Sequence, residues 1–236
     1  MIQSTLQQIL YFFGHGFCHQ FTERSLEAGG LYFAVCARDT GIYLGFIITL
    51  AVLVLIHTQT KNKPTAMVPF WIILLSIGLI IPLAADGASS YLGLRESNNL
   101  LRYITGYLAG TGVALLTSGG ILSLWTLTNH QVSPVSKPGK TICVLLGSAL
   151  VGAAFYAGYP YLGALAPFIA LGCQWAAVTL VNLLVFSTTP LLPRNASTKR
   201  RLVFFLLSVI AAGAEMALFS LIATGMNLLF PWYQHP

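Results

Sequence analysis

Four residues near the amino terminus carry side chains suited to holding a metal ion. They form two pairs, Cys18-His19 and Cys36-x-x-Asp39, and the pairs are about seventeen residues apart, a separation common between the two halves of a zinc site. Thiolate, imidazole and carboxylate groups are all zinc ligands, and four ligands complete a tetrahedral shell. His15 is a further candidate ligand. The alternative is a disulfide between Cys18 and Cys36, because cysteines on an oxidising face pair readily.

A second polar stretch, from Asp86 to Gly106, adds acids and arginines to an otherwise apolar region. Its members are Asp86, Arg95, Glu96, Ser97, Asn98 and Arg102. One interpretation is a helix amino terminus, in which Glu96 and Ser97 cap the first turn or lie in it. The other is a functional cluster, in which Arg95 or Arg102 binds an anion such as a lipid phosphate, because guanidinium groups match phosphates and carboxylates.

Glu215 stands alone near the middle of the last apolar stretch of the chain. An ionisable group at membrane depth is costly unless it is paired or neutral. Glu215 therefore indicates either a buried hydrogen-bonded pair, with Gln174 or Asn182 as the partner, or a route for protons or ions.

The composition predicts that these residues are positioned by a helical membrane scaffold. Of 236 residues, 56% are hydrophobic and only 8% are charged, and the mean hydropathy is +0.77. Apolar runs recur that can cross a hydrocarbon core about 30 Å thick. Only helices and closed barrels satisfy their backbone in lipid, and the alternation typical of barrel strands is absent. The expected fold is all-α, with six transmembrane helices and a short interfacial helix at the amino terminus.

The predicted spans cover about residues 41–57, 67–85, 103–127, 141–156, 162–186 and 202–230. Residues 1–40 are expected to form an extracytoplasmic cap, and residues 41–236 the transmembrane bundle. Within the third span, Gly106 and Gly110 have the small-xxx-small spacing that permits close helix contact.

The positive charges predict the orientation of the bundle. The chain has 12 lysines and arginines and a formal net charge of +6. Eight of them lie in the loops after spans one, three and five, so the positive-inside rule places both termini outside the cytoplasm, in an inner (cytoplasmic) membrane. The two polar stretches then emerge on one face, where they can meet. No basic stripe with interleaved aromatics is present, so nucleic acid is not an expected partner. The eight are Lys61, Lys63, Lys137, Lys140, Arg194, Lys199, Arg200 and Arg201.

Three groups of motifs resemble the signatures of an uncharacterised prokaryotic membrane-protein family, domain of unknown function 2085. They are CHQ-x2-ERS, CARDTGIYLGF and DG-x6-LRES-x2-LLR-x2-TG, and the resemblance covers about residues 15–125. Members of that family typically read Cys-x-Arg-Cys-Thr-Gly where this chain has Cys36 to Gly41. The resemblance thus implies a Cys-His plus Cys-x-x-Cys metal site, in which Asp39 here replaces a thiolate by a harder, more labile ligand. It implies no established activity.

Three functions are compatible with these residues. The favoured one is an accessory or structural subunit of a larger membrane complex, in which a zinc-like metal or a disulfide fastens the cap. The second is a metal-dependent membrane enzyme acting on a lipid-borne anionic substrate. Arg38 and Arg102 would bind the anion, and Asp86 or Glu96 would act as general base. The candidate catalytic residues are therefore Asp86, Glu96 and Arg102, and the candidate cofactor-binding residues are Arg38 and Arg95. The third is a small transporter that uses Glu215 and Asp86. Membrane lipids are expected partners in each case.

Overall fold

A computed structural model describes residues 2–58, 68–125, 135, 137–189 and 197–229. These residues form seven α-helices and one two-stranded hairpin. The helices are α1 (Ile2–His15), α2 (Ala37–Thr58), α3 (Phe70–Tyr91), α4 (Asn99–Trp125), α5 (Pro138–Gly158), α6 (Leu165–Thr188) and α7 (Thr198–Leu229). A one-turn 3-10 helix, Thr22–Arg24, precedes the strands β1 (Ser25–Ala28) and β2 (Leu31–Cys36).

The prediction of six spans and an amino-terminal helix is confirmed. Helices α2 to α7 are each long and apolar enough to cross a membrane. The end predicted for the second span near residue 85 is too early, because α3 continues to Tyr91 and carries Asp86 within the helix. The orientation of the bundle stays a prediction, and Lys61, Lys63 and Arg194 lie outside the described residues. The division into a cap and a bundle likewise stays a prediction.

Helices α2 and α4 run parallel and pack backbone against backbone. Gly41 and Gly45 face the main chain of Tyr103 and Tyr107, and a Cβ atom at either glycine would collide with a carbonyl oxygen of α4. Gly106 and Gly110 of α4 in turn face the main chain of α2, where a Cβ atom at either position would collide with a carbonyl oxygen. Small residues allow this approach in membrane helices. The amino termini of α2 and α4 therefore lie side by side at one end of the bundle.

The β1–β2 hairpin was not predicted, although the sequence contains a signal for it. Gly29 and Gly30 link the strands with φ values of 61° and 72°, and a two-residue turn with both φ values positive suits a right-twisted hairpin. Leu26 and Phe33 are buried in a cluster with Ala166 of α6. The hairpin is thus packed into the end of the bundle, and β2 leads directly into α2.

A chain of buried hydroxyl groups links α2, α4 and α5 in the interior. Thr49 Oγ1 donates to Thr111 Oγ1 at 3.1 Å and lies 2.7 Å from Ser148 Oγ. Tyr107 OH donates to the Ser148 carbonyl at 2.6 Å. These contacts attach α5 to the α2–α4 pair, and so stiffen the scaffold beneath the polar end.

Candidate metal centre

The loop after α1 is folded back onto β2 by Gln20. Its φ is 55°, a left-handed conformation that is uncommon outside glycine. Its side-chain amide donates to the carbonyl oxygens of Tyr11, at 3.1 Å, and Ala34, at 2.5 Å. The loop is therefore attached to both α1 and β2, and Cys18 is brought to the end of β2. A glutamine gives no sequence signal for this role, so Gln20 was not among the predicted site residues.

Three of the four predicted metal ligands come together at the start of α2. The ligand atoms of Cys18, Cys36 and Asp39 all lie within 4.8 Å of one another. The Cys36 backbone N–H donates to Cys18 Sγ at 3.3 Å, and the Cys36 thiol donates to Asp39 Oδ2 at 3.3 Å. Both cysteines are free thiols. Three different elements thus supply the group: the loop after α1, the end of β2 and the first turn of α2.

The donor set and its spacing fit a zinc-like ion. Zinc binds thiolate and carboxylate at about 2.0–2.3 Å, so two atoms on one ion are separated by less than about 4.6 Å. The observed limit of 4.8 Å requires at most a small movement of the side chains. Two thiolates favour zinc over the hard cations, which prefer oxygen.

Hydrogen bonding and burial distinguish the two thiols. The hydrogen bond with the Cys36 side chain lowers the pKa of Cys18. The same contact, reinforced by burial, raises the pKa of Cys36. Cys18 is therefore the thiol that ionises first. Deprotonation of all three groups would place three negative charges in one small volume, and a bound divalent cation would offset two of them.

The two nearby histidines lie outside this group of three. The His19 ring stacks on Phe21 with the ring centroids 5.9 Å apart, and the His15 Nε2 atom lies 3.2 Å from Asn227 Nδ2 of α7. Both histidines line a cavity of about 460 Å³ between α1 and the end of α7, and Cys18 lines it too. Cys18 therefore belongs to the group of three candidate metal ligands, Cys18, Cys36 and Asp39 (the metal group), and also lines an accessible cavity.

The second polar stretch meets the cap through Asp86, which is 2% exposed. Arg38 donates to its Oδ2 atom from both Nε and Nη2. The other carboxylate oxygen of Asp86, Oδ1, accepts hydrogen bonds from Arg95 Nη2 at 2.8 Å and from the Ser97 hydroxyl at 2.6 Å. Both predicted cofactor-binding arginines are thus paired with the chain's own carboxylate. The expected meeting of the two polar stretches is confirmed.

The start of α4 differs from the predicted capping arrangement. The backbone N–H of Leu101, in the first turn of α4, donates a hydrogen bond to Asn98 Oδ1 at 2.8 Å. Ser97 instead bonds Asp86, and Glu96 is exposed. Arg102 is buried, with Asn99 as its hydrogen-bond partner at 3.2 Å. Of the three candidate catalytic residues, Asp86 and Arg102 are thus buried at this end of the bundle, while Glu96 lies on the surface.

Glu215 has one of its two predicted partners. Asn182 of α6 donates a hydrogen bond to Glu215 Oε2 at 3.1 Å. Gln174 is fully buried, and neither polar atom of its amide has a hydrogen-bond partner within the described residues. The Glu215–Asn182 bond joins α7 to α6, and both residues are partly buried.

Six apolar helices with a thiol and carboxylate group at one end define a multi-pass integral membrane protein with a candidate metal site. The chain belongs to the predicted membrane-protein family DUF2085, whose model matches residues 18–116. This range contains the metal group and the cluster that Asp86 forms with Arg38, Arg95 and Ser97. It leaves residues 117–236 unmatched.

Two archaeal relatives each align with about two fifths of the chain. An uncharacterized protein of Methanothermobacter thermautotrophicus is 44% identical over 100 residues, which are 42% of this chain and 83% of that protein. An uncharacterized protein of Methanocaldococcus jannaschii is 39% identical over 94 residues, 39% of this chain and 56% of that protein. No solved structure matches the chain.

Proposed function

We propose that this membrane protein binds a zinc-like ion through Cys18, Cys36 and Asp39, and that the ion fastens the amino-terminal cap to the bundle. The observation that carries the proposal is the convergence of these three ligand atoms within 4.8 Å from three separate elements. A metal held in this way would cross-link the loop after α1, β2 and α2. Such sites contribute directly to folding free energy.

An accessory or structural subunit of a membrane complex is the role that fits such a cross-link. The cap has its own hairpin, and its attachment to α2 would present a fixed surface at one end of the bundle. The loop charges support an inner-membrane location with this end outside the cytoplasm. Membrane lipids would surround the remaining helices.

The metal can be tested on the full chain purified in detergent. Elemental analysis is expected to find about one zinc ion per chain, because three protein ligands converge on one position. Cys36→Ser and Cys18→Ser should each remove most of the metal, since a hydroxyl is a poor zinc ligand. Cys143→Ser is the matched control, because Cys143 is exposed on α5, and it should retain the wild-type content.

The same preparation distinguishes the metal from the disulfide. Wild-type protein without metal, whose count of free thiols rises only after reduction, would refute the metal site and support a Cys18–Cys36 bond. If the metal has a fastening role, a strong chelator should also lower the melting temperature of the wild type. It should leave that of metal-free Cys36→Ser unchanged.

A metal-dependent enzyme is the second candidate, and the cavity beside Cys18 is the observation that favours it. Three protein ligands leave a fourth position for water or substrate, the arrangement of catalytic zinc sites. Cobalt-substituted protein provides the test, because its visible spectrum reports the ligands. Added azide should shift the spectrum if the position is open. An unshifted spectrum that changes in His19→Ala would instead indicate the closed site, with His19 as the fourth ligand.

A further inference from the structure

Arg102 is a buried cation that the acids of the chain leave unpaired. The residue is 9% exposed, and its described side-chain hydrogen bond goes to the amide oxygen of Asn99. All six acids lie within the described residues, and the ion pairs found there join Asp86 to Arg38 and Arg95. A buried charge without an opposite charge is costly. The acids are Glu23, Glu27, Asp39, Asp86, Glu96 and Glu215.

The surroundings of Arg102 make its positive charge more costly still. Arg24 and Arg38 lie close enough to repel it, and their repulsion outweighs the weaker attraction of Cys36 and Asp86. Asn99, which accepts the hydrogen bond from Arg102, donates through Nδ2 to the Ser25 carbonyl at 3.2 Å. This bond holds the start of α4 against the residue that follows Arg24. Four arginines, Arg24, Arg38, Arg95 and Arg102, therefore lie at this end of the bundle, and within the described residues the two that pair with Asp86 are Arg38 and Arg95.

The paired helix ends also contribute positive charge near Arg102. Because α2 and α4 are parallel and in backbone contact, both amino termini face the same end. Each helix amino terminus carries a partial positive charge of roughly half an elementary charge. Arg102 lies in the first turn of α4, so its charge adds to that of the paired helix ends.

We propose that Arg102, assisted by Arg24, binds a phosphate-type anion at the start of α4. Guanidinium groups bind phosphate through paired hydrogen bonds that a lysine cannot reproduce. Arg38 and Arg95 are not part of this site, because both already form ion pairs with Asp86. Arg102 lies at the beginning of a candidate membrane span, Asn99–Leu122, so it is placed at the depth of lipid headgroups. The phosphate is therefore that of a phospholipid headgroup or a free phosphate ion.

The test is a thermal-unfolding titration of the full chain in detergent. The probes are inorganic phosphate and short-chain phosphatidylglycerol, with sodium chloride as the control. Wild-type protein should gain stability with at least one probe, because a ligand that binds only the folded state stabilises it. Arg102→Gln should weaken the apparent affinity by at least about tenfold, the scale of a lost charge-assisted hydrogen bond.

The matched control is Arg200→Gln, which removes an exposed arginine at the opposite end of the bundle and should bind like wild type. Arg24→Gln should weaken binding to a smaller extent. If Arg102→Gln fails to fold, Arg102→Lys replaces it, and this variant should bind more weakly than wild type because the paired hydrogen bonds are lost.

Each outcome of the titration supports or overturns the proposal. Stabilisation by phosphatidylglycerol alone assigns the site to a lipid headgroup, and stabilisation by both probes shows that the phosphate group suffices. If phosphatidylglycerol alone stabilises the protein, native mass spectrometry of the wild type should detect a retained phospholipid. Equal affinities of the wild type and the Arg102 variant would overturn the proposal, and so would the absence of any response to either probe.

Discussion

Arg38 binds Asp86 and thereby joins the first turn of α2 to the last turns of α3. The following residue, Asp39, accepts a hydrogen bond from the Cys36 thiol instead. Successive residues on a helix point about 100° apart, so one turn of α2 supplies both the candidate metal group and the buried ion-pair cluster. The two clusters are therefore connected through the backbone, and a shift of α2 would disturb both.

The two arginines on Asp86 should contribute very differently to stability. Arg38→Gln is expected to cost about 3 kcal/mol, because Asp86 would remain buried with fewer partners. Arg95→Gln should cost less than about 1 kcal/mol, since its side chain is 49% exposed and water can replace it, whereas that of Arg38 is 18% exposed. Denaturation of both variants in the same detergent provides the comparison. Equal losses would contradict the assignment of Arg38 as the main partner.

The close contact of α2 and α4 predicts opposite effects for two glycine substitutions. Gly106→Ala should destabilise the protein by about 1–3 kcal/mol, because the new methyl group would overlap the Arg38 carbonyl. Gly78→Ala in α3 is the control, since no atom lies within 4 Å of its Cβ position. It should be neutral or stabilising by up to about 1 kcal/mol, through helix propensity. Melting temperatures that fall equally in both variants would argue against the backbone contact.

Much of the scaffold could be predicted from the sequence. Hydropathy identifies the six spans because lipid requires long apolar helices, and the spacing of Gly106 and Gly110 indicated the close contact. The hairpin was missed because the surrounding membrane pattern dominated the interpretation, although the adjacent Gly29 and Gly30 are a turn signal. Helix α3 extends beyond the predicted boundary, because the charged Asp86 marks the end of an apolar run in the sequence but does not end the helix. Asp86 remains inside the helix because arginines neutralise it.

The site was predictable only where its residues are close in sequence. Cys36 and Asp39 are three residues apart across the junction of β2 and α2, and the spacing of their pair from Cys18 suggested a metal. The positions of His19 and Gln20 depend on a left-handed turn that the sequence does not indicate. Arg38 and Asp86 are 48 residues apart, and their pairing depends on the register of α3 against α2, which hydropathy does not specify.

The buried hydroxyl groups should contribute measurably to the attachment of α5. Ser148→Ala removes the partner of Thr49, at 2.7 Å, and one contact of Tyr107. We expect a loss of about 1 kcal/mol, within the range for hydrogen bonds between membrane helices. Thr117→Ala is the matched control, because the Thr117 hydroxyl bonds carbonyls of its own helix and the residue is partly exposed. The hydroxyl network would be dispensable if the two variants unfolded at the same temperature.

Glu215 distinguishes a structural pair from a proton route. Glu215→Gln preserves the size of the side chain and its ability to accept a hydrogen bond from Asn182. If the pair is structural, this variant should unfold within about 1 kcal/mol of the wild type, while Asn182→Leu should be weaker by roughly 0.6–1.7 kcal/mol. Proton flux into liposomes that contain the protein should then be the same for the wild type and Glu215→Gln. Flux in the wild type that disappears in this variant would favour the transporter, because only a titratable group can carry a proton across the bundle.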